Sequence, residues 1–263
     1  EMQDRILPVE DKEVSDFAKK KFEERGINFH VEADYEVVTK ESSEIKLLIK
    51  TKGKEEEVVA SKILVAAGIV GNLEGFGLKE MGIETKDERI VTNDFCQTNV
   101  EGIFAIGDVT SPPWLAHKAS HEGVIAAEII AGKSNVRPIK KENIPGCTYS
   151  DPQIASVGLT EENAVELGYD VNIGNFPFLA NGKALAMGDT EGFIKTIFDK
   201  NTGELLGAHM VGKEVTELIS TFLVGKELET TPEELINTIF PHPTMSEMLH
   251  ESVLSAENKT IHF

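Results

Sequence analysis

His242, Pro243, Thr244, Met245, Ser246 and Glu247 place a titratable imidazole and a carboxylate five positions apart, beside a proline that stiffens the chain. If the chain folds back there, Glu247 holds one ring nitrogen and leaves the other facing a substrate. That pair does general acid–base chemistry, because an unperturbed imidazole titrates near pH ~6.5. The plainer reading of the same residues is a helix entry. Ser246 would be its N-cap, and Glu247 would favour the positive end of the helix dipole. Both readings need a helix behind them, and one fits Ser246 to Ala256.

A second candidate site is the apolar run Thr98 to Asp108, which ends in Gly107-Asp108. A glycine there lets a ligand approach the backbone, and an aspartate accepts hydrogen bonds from sugar or polyol hydroxyls. The competing reading is an ordinary strand and turn. The next residues, including Ala116 and His117, begin a helix whose free N–H groups suit an anion or an electron-rich ring edge. Gly68, which closes I-L-V-A-A-G, and Glu1, which could end a nucleotide-binding strand and bind a ribose, are weaker candidates. No G-x-G-x-x-G occurs, so this chain alone lacks the usual cradle for a dinucleotide pyrophosphate. Cys96 and Cys147 form no C-x-x-C and read as two free thiols. His30, His209, His250 and His262 lack metal-ligating neighbours at ligand spacing, and no metal site is expected.

The elements that must position these residues follow from periodicity. Val14, Phe17, Ala18 and Phe22 predict a helix over Asp11 to Arg25, ended at Gly26. Strands are expected at 27–31, 35–39, 44–51 and 58–67, then at 90–91 and 103–108. A helix follows from Ala116 to Ala131, and the proline-containing stretch from Arg137 to Gly146 reads as a linker. Beyond it a helix is expected from a Thr160 cap to Leu167, with strands at 171–178, 193–199 and 205–211 and helices at 215–224, 232–239 and 246–256. Beyond the linker, strands flanked by helices predict an α+β unit with an antiparallel sheet. The 263 residues carry 26 basic and 45 acidic side chains, a net charge of −19. With no basic cluster, nucleic acid and anionic membranes are poor partners. No apolar run approaches the ~18 residues of a transmembrane helix. The opening E-M-Q-D-R-I-L-P reads as a strand end running into a loop, as in a piece of a longer polypeptide.

Taken in order, E-M-Q-D-R-I-L-P, I-L-V-A-A-G, T-N-V-E-G-I-F-A-I-G-D, L-A-H-K-A, Y-S-D-P-Q-I-A-S-V-G-L-T and H-P-T-M-S-E resemble the C-terminal half of the pyridine nucleotide–disulfide oxidoreductase family. The resemblance covers the whole chain and lies with the branch that reoxidises dihydrolipoyl groups. It implies an α/β part ahead of the α+β unit, with residues 1–67 the later part of an NAD domain and residues 68–137 a central segment completing an FAD domain. Residues 138–263 would be an interface domain that forms a homodimer. By the same resemblance Asp108 binds the flavin ribityl chain, and Ala116 and His117 lie against its ring system. Glu1 binds the adenine ribose of NAD and disfavours NADP, and Gly68 lies near the nicotinamide. His242 and Glu247 are the acid–base pair. Where the family commonly has Arg after the glycine corresponding to Gly68, this chain has Ile69-Val70-Gly71.

The implied activity is oxidation of dihydrolipoyl groups of 2-oxo acid dehydrogenase complexes, with FAD and NAD as cofactors. Its partner would be the lipoyl-bearing acyltransferase component, in a bacterial cytoplasm or a mitochondrial matrix. Glutathione-reductase and mercuric-reductase types are the alternatives within the family. The rival from another class is a non-catalytic dimerisation module. On this resemblance the isolated chain is expected to be inactive and to lack FAD.

Overall fold

The structure, a computed structural model, describes residues 1–40 and 44–263. It divides into two units, residues 1–63 with 145–263 and residues 64–144. The chain enters the first unit through helix α1 (Lys12–Glu24), capped by the Asp11 carboxylate, which accepts from the Glu13 N–H at 3.0 Å. Val14 and Ala18, one turn apart, are fully buried, so the apolar spacing read in the sequence is the stripe the helix uses. An antiparallel meander follows, β1 (Asp34–Lys40), β2 (Ile45–Thr51) and β3 (Lys54–Ala60), in that spatial order.

Two strand expectations fail here. Residues 27–31 form no strand, and β3 starts at Lys54 and stops at Ala60, leaving Ile63 to Ala67 without a ladder. An apolar run becomes a strand only where a neighbour offers N–H and C=O groups to pair with. Among the described residues no strand does so, and Leu64 stands 91% exposed.

In the second unit β4 (Thr85–Lys86) and β5 (Arg89–Ile90) form a short ribbon, and helix α2 spans Ala116–Ile130. The strand expected at 103–108 is reduced to a single bridge between Phe104 and Gln97, and a 3-10 turn over Gly107–Val109 follows. The cause is again a missing ladder. Cys96, Ile125 and Ala126 form a small core with Phe104 and Ile129 packed against it.

The chain then returns to the first unit and builds an antiparallel five-stranded sheet. Its strands are β6 (Gly146–Thr148), β7 (Gln153–Gly158), β8 (Val171–Pro177), β9 (Phe193–Asp199) and β10 (Leu205–Gly212), in the order β6-β7-β10-β9-β8. The first two were not expected, since β6 starts within the stretch read as linker and β7 is rich in small residues. Helices α3 (Glu161–Glu166), α4 (Gly182–Met187), α5 (Val215–Leu218), α6 (Ser220–Glu227), α7 (Pro232–Asn237) and α8 (Glu247–Ala256) surround it. α4 was not read from the sequence, and the helix expected over 215–224 is broken into α5 and α6.

Both faces of this sheet are covered, which is why β9 and β10 are buried along their whole length. One face meets α1 through Ile154, Phe193 and Val211. The other meets Phe222 of α6 and Met248, Leu249 and Val253 of α8 through Phe176, Ile194, Phe198 and Met210. On the α1 face, three polar residues lie abreast in register, Ser156, His209 and Lys195. Lys195 Nζ donates to Asp11 Oδ1 at 3.1 Å, Glu13 Oε1 at 2.6 Å and Glu161 Oε2 at 2.6 Å. Burial opposes the charge on Lys195, but these three carboxylates hold it protonated and raise its pKa. Burial likewise opposes the Asp11 carboxylate, and Lys195 and the Glu161 N–H outweigh it and hold Asp11 below its ordinary range.

Glu10 lies beside this row with one carboxylate oxygen buried and unpaired among the described residues. Burial pushes its carboxyl up, Asp11 adds to the rise, and a hydrogen bond with Ser156 opposes it. A folded-state pKa above the unfolded one means stability present at low pH that is lost as pH rises through the folded value. Glu10→Gln is therefore expected to raise the urea midpoint at pH 7. That gain should vanish below about pH 4.3, where an unfolded glutamate protonates. A midpoint difference that does not change between pH 4 and pH 8 would contradict the assignment.

Candidate active site

α8 carries the first site, and Gly174 decides where α8 lies. A Cβ at Gly174 would stand 1.8 Å from the Ser252 carbonyl oxygen, so only glycine lets the helix backbone come this close to β8. Thr196 Oγ1 donates to the same carbonyl at 3.2 Å, and the Asn175 N–H donates to Ser255 Oγ at 3.2 Å. The helix is thus seated by backbone contact as well as by its buried Met248, Leu249 and Val253.

Glu247 is the first residue of the seated helix, and the chain before it does fold back. His242 Nδ1 lies 3.0 Å from Glu247 Oε1, while the Thr244 N–H donates to Glu247 Oε2 at 2.8 Å. An ionised carboxylate only accepts, so Nδ1 carries the proton, and in the neutral imidazole Nε2 is the nitrogen with the lone pair. The His242 side chain is 77% exposed against 26% for Glu247, so the free nitrogen faces outward from a partly sheltered anchor. Burial pushes the Glu247 carboxyl up, yet the Thr244 N–H and the His242 hydrogen bond outweigh it and hold Glu247 below its usual range. The alternative that Ser246 caps the helix is not what forms. Ser246 makes no capping bond, and its hydroxyl pairs with Thr244 Oγ1 at 2.8 Å. Thr244 also donates to the Pro241 carbonyl at 2.7 Å, which closes the turn. Thr244 was not singled out from the sequence, although a threonine three residues before a carboxylate at a helix start is a capping signal.

The second site is in the other unit. Gly107 takes φ +72°, a left-handed conformation that favours glycine, and its N–H donates to Glu122 Oε2 at 2.7 Å. Glu122 Oε1 receives Lys118 Nζ at 2.7 Å, and both side chains are nearly buried. α2 thereby holds the Gly107 turn, leaving Asp108 exposed at its crest. Ala116 and His117 open α2 and are exposed, and the N-cap position, Leu115, provides no side-chain acceptor for the first N–H groups. Lys118 and Glu122 were missed because a buried Lys–Glu pair at i,i+4 looks in sequence like a solvated surface pair.

Two weaker candidates remain. Gly68 is exposed at φ +111°, and nothing lies within 4 Å of where a Cβ would stand. Glu1 Oε1 accepts from the Gln3 N–H at 2.9 Å. Glu1, His242 and Glu247 belong to one unit, and Gly68, Asp108, Ala116 and His117 to the other. Among the described residues there is no cluster of three or more His, Cys, Asp or Glu able to hold a metal, and no helix long and apolar enough to cross a membrane. Cys96 and Cys147 are free, and burial raises both thiols.

Two family profiles match in tandem. Residues 1–123 match pyridine nucleotide-disulphide oxidoreductase, and residues 144–253 match the pyridine nucleotide-disulphide oxidoreductase dimerisation domain. The chain belongs to the pyridine nucleotide–disulfide oxidoreductase family. It is 51% identical to a dihydrolipoyl dehydrogenase of Rhizobium etli, with 99% of this chain and 54% of the relative aligned. It is 52% identical to one from Zymomonas mobilis over 98% of this chain and 56% of the relative. The chain therefore spans about half the length of the curated relatives it matches. Among solved structures, LpdA from Mycobacterium tuberculosis superposes with a TM-score of 0.86 at 26% identity, covering 96% of this chain and 54% of that one. The HOCl-induced flavoprotein disulfide reductase RclA from Escherichia coli also gives 0.86, at 25% identity, covering 96% of this chain and 57% of that one. These likenesses agree with the mixed α/β class and antiparallel sheet read from the sequence.

The Gly107 turn yields a direct test. Glu122→Ala leaves the Lys118 ammonium buried without its partner and is expected to cost roughly 3 kcal/mol or more. Amide exchange at Gly107 should quicken in the same variant. Glu122→Gln keeps an acceptor for the Gly107 N–H and should protect that amide better. Equal Gly107 exchange in wild type and Glu122→Ala would show that Glu122 does not hold the turn.

Proposed function

We propose that the chain is part of a dihydrolipoyl dehydrogenase in which His242 is the acid–base group and Glu247 its positioning partner. The observation that carries this is the 3.0 Å contact between His242 Nδ1 and Glu247, which leaves an exposed ring nitrogen of defined tautomer. Nε2 takes the proton from a dihydrolipoyl thiol, because the thiolate and not the thiol attacks a disulfide. Glu247, kept ionised by the Thr244 N–H, stabilises the imidazolium so formed. Cys96 and Cys147 are both free, and neither is assigned to the disulfide under attack.

This function requires two cofactors, FAD and NAD. Asp108, at the crest of the Gly107 turn, would bind the ribityl hydroxyls of FAD, and Ala116 and His117 would lie at the uncapped start of α2 beside its ring. Glu1 would bind the adenine ribose of NAD, with Gly68 near the nicotinamide. When bound, FAD would supply an electron-pair acceptor for the dithiol and NAD a hydride acceptor. The domain boundaries proposed are 1–67, 68–137 and 138–263, the last forming a homodimer. The match of residues 144–253 to a dimerisation domain supports the homodimer. The partner would be the lipoyl-bearing acyltransferase component of a 2-oxo acid dehydrogenase complex, in a bacterial cytoplasm.

Two measurements test this. In the complete flavoenzyme, His242→Gln is expected to lower lipoamide turnover by roughly 10²-fold or more, the scale of a positioned acid–base group. Reduction of artificial acceptors by NADH should survive, and Glu247→Gln should do less harm. Near-normal lipoamide turnover in His242→Gln would leave the motif a structural helix entry. Separately, light scattering of this chain should give a dimer at micromolar concentration, and a soluble monomer there would count against the interface assignment.

A further inference from the structure

α8 presents two carboxylates one turn apart, Glu247 and Glu251, and each is met by an imidazole from outside the helix. His242 reaches Glu247 from the residues before α8. From the residues after it, His262 Nδ1 lies 2.6 Å from Glu251 Oε1, and the Ile261 N–H donates to Glu251 Oε2 at 3.2 Å. Glu251 is only 4% exposed, so an ionised carboxylate there needs these partners. The segment that brings His262 is tied down at both ends. The Lys259 N–H donates to the Leu254 carbonyl at 2.8 Å, and the Phe263 ring meets Phe176 edge-on at 6.3 Å between centroids.

We propose that His262 is a positioning residue for the His242–Glu247 pair, acting through Glu251. Residues four apart on a helix are neighbours, and two like charges there repel. Pairing Glu251 with His262 relieves that repulsion on Glu247, so Glu247 stays ionised and keeps its bond to His242. His262 also adds, after Thr244 and His242, to the fall in the Glu247 pKa. Without it, the unscreened Glu251 carboxylate would favour the imidazolium form of His242 and make it a weaker proton donor.

Few other charges face this pair. β8 has no charged residue, Lys195 of β9 is taken by Asp11, Glu13 and Glu161, and Asp199 of β9 accepts from Thr202 Oγ1 at 2.7 Å. His250 of α8 bonds the Ile236 carbonyl at 2.9 Å, and Glu234 of α7 closes the Thr231 capping box. Glu233 of α7, and Glu257 and Lys259 in the segment after α8, are the other charged groups on these adjoining elements.

The consequence for catalysis rests on the proposed role of His242, but the coupling itself is read without activity. The experiment follows the Cε1–H resonances of His242 and His262 by NMR across pH 4–9 in this chain, in wild type, His262→Gln and His262→Lys. His262 is 64% exposed at its side chain, and Gln and Lys both keep a hydrogen-bond donor for Glu251. In His262→Gln the neutral amide can bond Glu251 but cannot cancel its charge, and the His242 midpoint is expected to rise by roughly 0.3 to 1 pH unit. In His262→Lys the cation is retained, and the midpoint should stay at or below the wild-type value. A His242 midpoint that is the same in wild type and His262→Gln overturns the proposal, whatever lipoamide turnover shows. If the midpoint shifts and His242→Gln is nonetheless fully active, the coupling stands and the acid–base role falls.

Discussion

The contact between the Gly174 backbone and the Ser252 carbonyl governs the geometry of the His242 site. A helix that packs through side chains alone can slide or rotate by an ångström or more without losing its apolar burial. Where its backbone touches a strand, with the Ser252 carbonyl also receiving Thr196, both distance and rotation are set. Glu247 begins that helix, so its carboxylate inherits the same restraint. The His242 ring is then placed by a single hydrogen bond and one turn closed by Thr244. An acid–base group needs such a rigid support, because proton transfer falls off steeply with misplacement.

The five-stranded sheet behind α8 is held from its other face in a different way. There α1 contributes an apolar stripe and, at its N-terminal end, Asp11 and Glu13, which converge with Glu161 on Lys195. A buried cation surrounded by carboxylates adds little net stability over an apolar substitute. It does define register, because only one placement of α1 brings Asp11 and Glu13 onto Lys195. His209 bonds the Leu159 carbonyl at 2.9 Å and is kept neutral by burial, so it serves as a packed polar side chain. The Lys118–Glu122 pair acts similarly in the other unit, tying a glycine turn to the helix that follows it.

Most helices were legible because each carries its own signals. Asp11 and Thr160 cap, Pro232 occupies a first turn, and apolar residues recur at helical spacing; these are local properties that survive in any context. Strands fared unevenly. β1, β2, β8, β9 and β10 follow alternating or continuous apolar runs, but the equally apolar Ile63 to Ala67 and Ile103 to Asp108 do not form strands. Their hydrogen-bonding groups need partners from elsewhere, and among the described residues none pairs with Ile63 to Ala67. β6 and β7 show the converse, since sequences with weak strand signals become strands once β10 lies alongside β7 and β7 alongside β6.

The sequence alone determined which residue types could do chemistry and their order, and the order of motifs carried the family resemblance. It determined that His242 and Glu247 lie close enough to meet if the chain turned. Tertiary structure decided that it does turn, and that Glu247 reaches Thr244 while Ser246 does not cap. It alone decided that His262 comes to Glu251, since those residues are eleven apart and joined by a turn whose path depends on Leu254 and Phe176. Spacing along a chain limits which groups can meet. Which of them do meet is settled by packing, because burial leaves each polar atom few partners and a high cost for having none.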